Sequence, residues 1–344
     1  DDGPAALEIL ASEKIDLVFL DYEMPTMNGL QVLKQMQRNG TNVPVIFCSG
    51  FTSSGASITM DALLAGAYDC VEKPHKPTRG ESVMTLTRQL SPRVQSLYEQ
   101  VGSVREPLAG ITGILQRAFG NTTTRRAVAY DQEQLVETGR DVQNRPLRLV
   151  VIAAGAGGPA AIREMLPTFS KDFPLPILVV QHLRPELIGA LVERLDDACD
   201  LPVVQLENQT TLAAGSIYVA KGGMQLAIES TGTESSTDAP LISQYYDDPA
   251  EHGNAPSLDY LLRSLQDTAP EGVLVSVLSG IGFDGCDGAK HLMAKGSIVF
   301  AQHPEGCTVF STPKSLIANN LADRILPLSD MAYGIEFAVN NRKS

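Results

Sequence analysis

Two residues able to do proton chemistry close hydrophobic runs in the second half of the chain: His182 ends "PILVVQH" and Asp284 sits inside "VLSGIGFDGCDG". A histidine oriented by a carboxylate is the general-base pair of a nucleophilic hydrolase. The nucleophile of such a trio belongs on a tight strand-to-helix loop, and "VIAAGAGGPAAI" is one. That loop reads Ala153, Ala154, Gly155, Ala156, Gly157, with no Ser, Thr or Cys. Its glycines admit a second reading, because Gly155, Gly157 and Ala160 fit the loose dinucleotide fingerprint. A dinucleotide site also needs an acidic residue ending the next strand, ~20 residues or more further on, to hold the ribose hydroxyls. That strand ends in Gln181 and His182 instead, which weighs against a nucleotide.

A second constellation lies in the first 80 residues. Asp21 closes "IDLVFLD", Ser49 closes "VIFCS", and Lys73 follows "CVE" just before Pro74. If these runs are neighbouring parallel strands, a carboxylate, a hydroxyl and an ammonium meet at one sheet edge. That trio suits an aspartate that accepts a phosphoryl group while the lysine and hydroxyl bind its oxygens.

The elements that must position both sets follow an α/β rhythm. Helical and strand patterns alternate over residues 1 to about 78, then again from Leu147, with strands predicted at 148–154, 176–181, 273–278 and 297–301. Alternation of this kind predicts parallel sheets covered by helices, and the ligand edge of such sheets is the C-terminal end of the strands. The fold class expected is α/β: a partial receiver-like (flavodoxin-like) domain at 1–100, a polar linker at 101–146, and a doubly wound parallel-sheet domain at 147–344.

Composition narrows the function classes. The 344 residues carry a net charge of −13 with no concentrated Lys/Arg stripe, which argues against nucleic acid or an anionic membrane as partner. No long uncharged apolar run predicts membrane insertion. The five cysteines are scattered without metal-type spacing, which suits reduced thiols in a cytoplasm.

Through "LDYEMPTMNG", "FCSG" and "GAYDCVEKP" the first region resembles the receiver domain of two-component response regulators. The resemblance implies Asp21 as phosphoacceptor, Ser49 as switch hydroxyl, Lys73 as the phosphate-contacting lysine, and the backbone carbonyl of Glu23 as a ligand of Mg2+. Receivers also carry an acidic pair on their first strand. Asp1 and Asp2 lie too close to Asp21 to be that pair, so the first receiver strands are expected to be missing from this chain, the magnesium site incomplete and phosphorylation poor. Cys70 stands where an aromatic switch residue is usual.

The segments "GGPAAIREMLPTFSKDFPLPILVVQH", "APSLDYLLRSL", "VLSGIGFDGCDGAKHLMAKGSIVFAQ" and "VFSTPKSLIANN" resemble the catalytic domain of the chemotaxis receptor methylesterase (CheB) family. The resemblance implies hydrolysis of glutamate methyl esters, and deamidation of glutamines, on methyl-accepting chemoreceptors. It also implies relief of autoinhibition when a chemotaxis histidine kinase phosphorylates the receiver. By position, His182 and Asp284 match the triad histidine and aspartate, and Ala156, Gly157, Ile281 and Gly282 match the loops beside the oxyanion site. No cofactor is expected in this domain.

The family's G-A-S-T-G-G loop places its serine at Gly155 and its threonine at Ala156. Lys221 and Gln225 replace a proline and a histidine, and Ser311 to Pro313 replace G-M-P. The chain is therefore expected to be catalytically impaired, a pseudoenzyme with a regulatory or binding role. The alternatives are an active ester hydrolase using water, Ser279 or Cys286 with His182 and Asp284, and a small-molecule or nucleotide-binding module built on the glycine loop.

Overall fold

The computed structural model describes residues 2–50, 53–74, 78–101, 147–230, 239–269 and 272–340. The expected linker lies outside these residues except for Val101, the last residue of a helix.

The first unit runs α1 (Gly3–Ser12), β1 (Val18–Asp21), α2 (Gly29–Arg38), β2 (Val45–Ser49), α3 (Ser53–Leu64), β3 (Asp69–Glu72) and α4 (Arg79–Val101). Its sheet is parallel, in the order β1-β2-β3. Register pairs Asp21 with Cys48 and Ser49 with Glu72, so Asp21, Ser49 and Lys73 all fall at the C-terminal edge, as expected. Helix α2 starts at a capping box: Asn28 accepts from the Gln31 amide while the Gln31 side chain accepts from the Asn28 amide. This fixes the helix that follows the Asp21 loop and buries Val32, Leu33 and Met36.

The second unit is a seven-stranded parallel sheet in the order β12-β11-β10-β4-β5-β7-β6. Its strands are β4 (Leu149–Ala154), β5 (Ile177–Gln181), β6 (Val203–Gln205), β7 (Ile217–Val219), β10 (Val273–Val277), β11 (Ile298–Gln302) and β12 (Arg324–Leu326). Strands β4, β5, β10 and β11 are buried along their whole length, which is why they read as near-continuous Val/Ile/Leu runs. Helices α5 (Gly158–Met165), α6 (Pro185–Asp196), α7 (Leu258–Thr268), α8 (Cys286–Lys295), α9 (Thr312–Ala318) and α10 (Leu328–Asn340) supply the connections and covering faces.

Strand order reverses beside β4: the chain passes first to β5 on one side and later to β10 on the other. That reversal opens the crevice in which doubly wound sheets place their sites. Gly155, His182 and Asp284 follow β4, β5 and β10, so all three belong to it. An antiparallel hairpin of β8 (Gln225–Ser230) and β9 (Leu241–Tyr246), which the alternating pattern does not predict, stands apart from this sheet. Strand β12 and helix α10 also escape that pattern, the strand being only three residues long.

The two units pack on each other. Helix α3 lies on α5 and α6. Arg194 of α6 bonds Asp61 at 3.0 Å and the Ser57 hydroxyl at 2.8 Å, and Arg184 pairs with Glu72 at 2.7 Å. Between these ties, Ile46, Tyr68, Val71 and Leu97 of the first unit cluster with Val309 of the second, and Ala156 and Ile281 pack at the margin.

Candidate functional site

The carboxylate side of the crevice is heavily determined. Asp284, 2 % exposed, stands 3.2 Å from His182 Nε2 through Oδ2. Its Oδ1 accepts the Ser257 hydroxyl at 2.7 Å and the Asp259 amide at 3.0 Å. Its Oδ2 accepts the Leu258 amide at 2.9 Å and the Asn254 side-chain amide at 3.1 Å. Burial alone raises a carboxyl's pKa, but the His182 imidazole and these donors outweigh it and hold Asp284 at about 2. Asp284 is therefore an anion across the physiological range. The His182 amide donates to Ala154 O at 2.8 Å, which ties this residue to the end of β4.

The loop after β4, where the nucleophile is expected, carries no hydroxyl from Ala153 to Gly158. Gly155 is held at both ends: its amide donates to Ser279 O at 2.8 Å, and its carbonyl accepts the Gln181 side chain at 2.8 Å. A Cβ at this position would meet Gly280 Cα at 3.1 Å and Ile281 N at 3.5 Å, a tight but negotiable fit. The backbone here does not need glycine, since no left-handed φ occurs at Gly155. Gly157 is different: its φ of 72° and the closeness of Thr308 and Ser279 exclude a side chain. The tight turn after β4 is thus fixed by Gly157, while Gly155, where the nucleophile is expected, carries no hydroxyl.

The two alternative nucleophiles are both occupied or unreactive. The Ser279 hydroxyl, fully buried, donates to Ala156 O at 2.7 Å and accepts the Val309 amide at 2.8 Å. The Cys286 thiol is pushed up to about 12, mainly by burial and further by Asp259, Asp287 and Asp284, so almost none is thiolate near neutrality. The loop amides beside the expected oxyanion position are engaged too. Gly157 N donates to Tyr68 O of the first unit at 2.9 Å, and Gly282 N donates to Ser311 Oγ at 3.1 Å. The amide a pyrophosphate would need at the start of α5 is therefore taken, which further disfavours the dinucleotide reading.

In the first unit Lys73 Nζ lies 2.6 Å from the Asp21 carboxylate, and Asp21 Oδ1 accepts the Glu23 amide at 3.1 Å. Ser49 is buried at the end of the adjacent strand, with its hydroxyl turned to Gly50 O at 3.3 Å. Asp21 belongs to no described group of three or more potential metal ligands. One carboxylate and one carbonyl do not make a hard-cation site, so these residues alone do not fit a magnesium ion.

Several residues at the crevice carry no sequence motif of their own. Ser257 caps α7 and bonds Asp284 in the same position, a double role hidden in an ordinary N-cap. Gln225, one of the departures near the site, is fully buried; it accepts the Ser257 amide at 2.8 Å and donates to Pro249 O at 2.9 Å, so it braces the segment that holds Asp284. Lys221 pairs with Glu207. His252 Nε2 stands 3.3 Å from Asp259 Oδ2, and nothing in its sequence surroundings marks it.

Comparison with known proteins places these features in one family. Residues 150–335 match the family model described as CheB methylesterase, and residues 1–84 match the response regulator receiver domain. A protein-glutamate methylesterase/protein-glutamine glutaminase of Desulfotalea psychrophila is 31 % identical over 98 % of this chain and 89 % of its own length. One from Nocardioides sp. is 34 % identical over 96 % of this chain and 84 % of its own. Among solved structures, the Thermotoga maritima CheB methylesterase catalytic domain aligns with 55 % of this chain and 97 % of its own at 28 % identity and a TM-score of 0.52. Among the described residues no helix is long and apolar enough to cross a membrane. The chain belongs to the CheB methylesterase family and carries a response regulator receiver domain ahead of the methylesterase domain.

Proposed function

We propose that this protein is a cytoplasmic chemotaxis response regulator of the protein-glutamate methylesterase/glutaminase type that engages methyl-accepting chemoreceptors without acyl-enzyme turnover. The observation that carries this reading is Gly155: the base His182 and its carboxylate Asp284 are assembled, and the loop between them and Ile281 has no hydroxyl to activate. In serine hydrolases the nucleophile is worth on the order of 10⁶ in turnover, with about 10³ to 10⁴ over water surviving from the rest of the site. A bound ester would be held but not cleaved at signalling rates.

Regulation by the receiver fits the docking. Asp21 would accept a phosphoryl group from a chemotaxis histidine kinase, with Lys73 and Ser49 on its oxygens. Lys73 directly follows Glu72, which pairs with Arg184 two residues beyond His182. A change at Asp21 therefore has a two-residue path to the rim of the crevice. With the receiver seated, its Tyr68 carbonyl occupies the Gly157 amide.

The second reading is water-based hydrolysis through His182, favoured only by the intact His182–Asp284 contact. Mass spectrometry after mixing with an activated ester separates the two from acyl-enzyme chemistry. No acylated protein and no burst is expected; stoichiometric acylation would defeat the reading.

A further inference from the structure

Behind Asp284 lies a second acid–imidazole contact that the methylesterase reading does not use. His252 Nε2, Asp259 and Asp284 offer one ligand atom each, and these atoms lie within 4.8 Å of one another. Asp259 and Asp284 are 1 % and 2 % exposed, and among the described residues their ion-pair partners are two imidazoles, with no Lys or Arg. Two carboxylates this close in a dry setting repel, and a counter-cation is the usual remedy.

His182 stands outside this group, on the other side of Asp284. Its Nε2 is buried and makes no aligned hydrogen bond, although Asp284 Oδ2 is only 3.2 Å away. His252 is brought over the carboxylates by a left-handed backbone, φ 53°, uncommon for a residue with a side chain. The edge of Phe283 packs against its ring at a centroid distance of 4.8 Å.

We propose that His252, Asp259 and Asp284 bind one divalent transition-metal ion of the zinc class, with the fourth position open to water. Mixed imidazole and carboxylate donors select such an ion over magnesium or calcium. Asp259 Oδ1 is taken by the Gly288 amide at 2.7 Å, which leaves Oδ2 for the ion. Asp284 Oδ2 would give up the Asn254 amide, the longest of its four hydrogen bonds at 3.1 Å, and keep Leu258. Ligand distances of about 2.1 Å need the donors to close to about 3.4 Å apart in a tetrahedral site. The His252 side chain, 34 % exposed on a loop, supplies that movement. The ion would tie the 250–259 segment to the 282–284 loop. The site does not depend on whether Gly155 is catalytically silent.

The test is titration of the metal-free, untagged full chain with Zn2+ against a chromogenic chelator, and with Co2+ followed by visible absorption. One saturable equivalent is expected, with a d–d spectrum of four-coordinate cobalt. His252→Ala should weaken affinity at least ~10-fold and abolish the thermal stabilisation by zinc. His303→Ala should change neither, because that ring lies elsewhere and accepts the Glu305 amide. His252 is partly exposed, so its variant keeps the fold, as circular dichroism would verify. Absence of saturable binding, or equal binding by wild type and His252→Ala, would overturn the proposal.

Discussion

The two sides of one crevice differ sharply. Asp284 receives four hydrogen bonds and an imidazole, whereas Gly155, across the reversal of the sheet, keeps the backbone of a nucleophile loop and nothing else. The Asp284 arrangement is also architecture: it joins the start of α7 to the loop after β10, so losing it would cost folding energy. A hydroxyl at Gly155 supports only chemistry, so its loss leaves the fold untouched. On the proposed reading, function is lost from one side while the other persists for structural reasons, so the His182–Asp284 pair is weak evidence of turnover on its own.

The largest expected effect comes from refilling the empty side. Gly155→Ser should gain on the order of 10³-fold or more in hydrolysis of a small activated ester, and His182→Ala in that background should remove the gain. The added Cβ needs Gly280 to yield by a few tenths of an ångström from 3.1 Å. Failure to gain turnover in a folded variant would mean that His182 is not placed to serve this loop. Next is Asp284→Ala, which strands Ser257, Asn254 and His182 and should cost about 3 to 5 kcal/mol in urea unfolding, against under ~1 kcal/mol for Gly155→Ala. Equal costs would break the contrast.

A smaller effect appears in acid. The Asp284 carboxyl is held at about 2 against an ordinary 3.8. Its contribution is therefore present above pH 3.8 and lost as pH falls through about 2, roughly 2 kcal/mol in all. Asp259, raised by burial, works in the opposite direction and shallows the slope. Unfolding free energies between pH 5 and 2 should fall less steeply in His182→Ala. The smallest effect is at the domain seam: Arg184→Ala removes an exposed pair worth under ~1 kcal/mol, and should slightly raise cross-linker access to the crevice.

Much of this is legible in the amino-acid sequence alone. The buried parallel strands announced themselves as apolar runs, and their ends placed Asp21, Lys73, His182 and Asp284 at ligand edges, because in parallel sheets the edge follows from strand direction. The missing hydroxyl at Gly155 was a matter of counting along one loop. Gln225 read as a sign of relaxation but is a buried brace, since a side-chain amide's partners depend on chain segments far apart in sequence. Ser257 and Asp259 look like the first turn of any helix until Asp284 is beside them. His252, an isolated histidine on a glycine-flanked loop, carries no periodicity at all. The seat of Tyr68 on the Gly157 amide joins two domains, and no local pattern encodes such a contact.

The most direct test is methanol release by the natural chain from a methyl-esterified chemoreceptor fragment, with the receiver activated by a phosphoryl donor or removed by proteolysis. With Gly155 as the emptied position, release should stay at the level of the same chain carrying His182→Ala. Release well above that control would contradict the central claim and establish that the crevice has found another nucleophile.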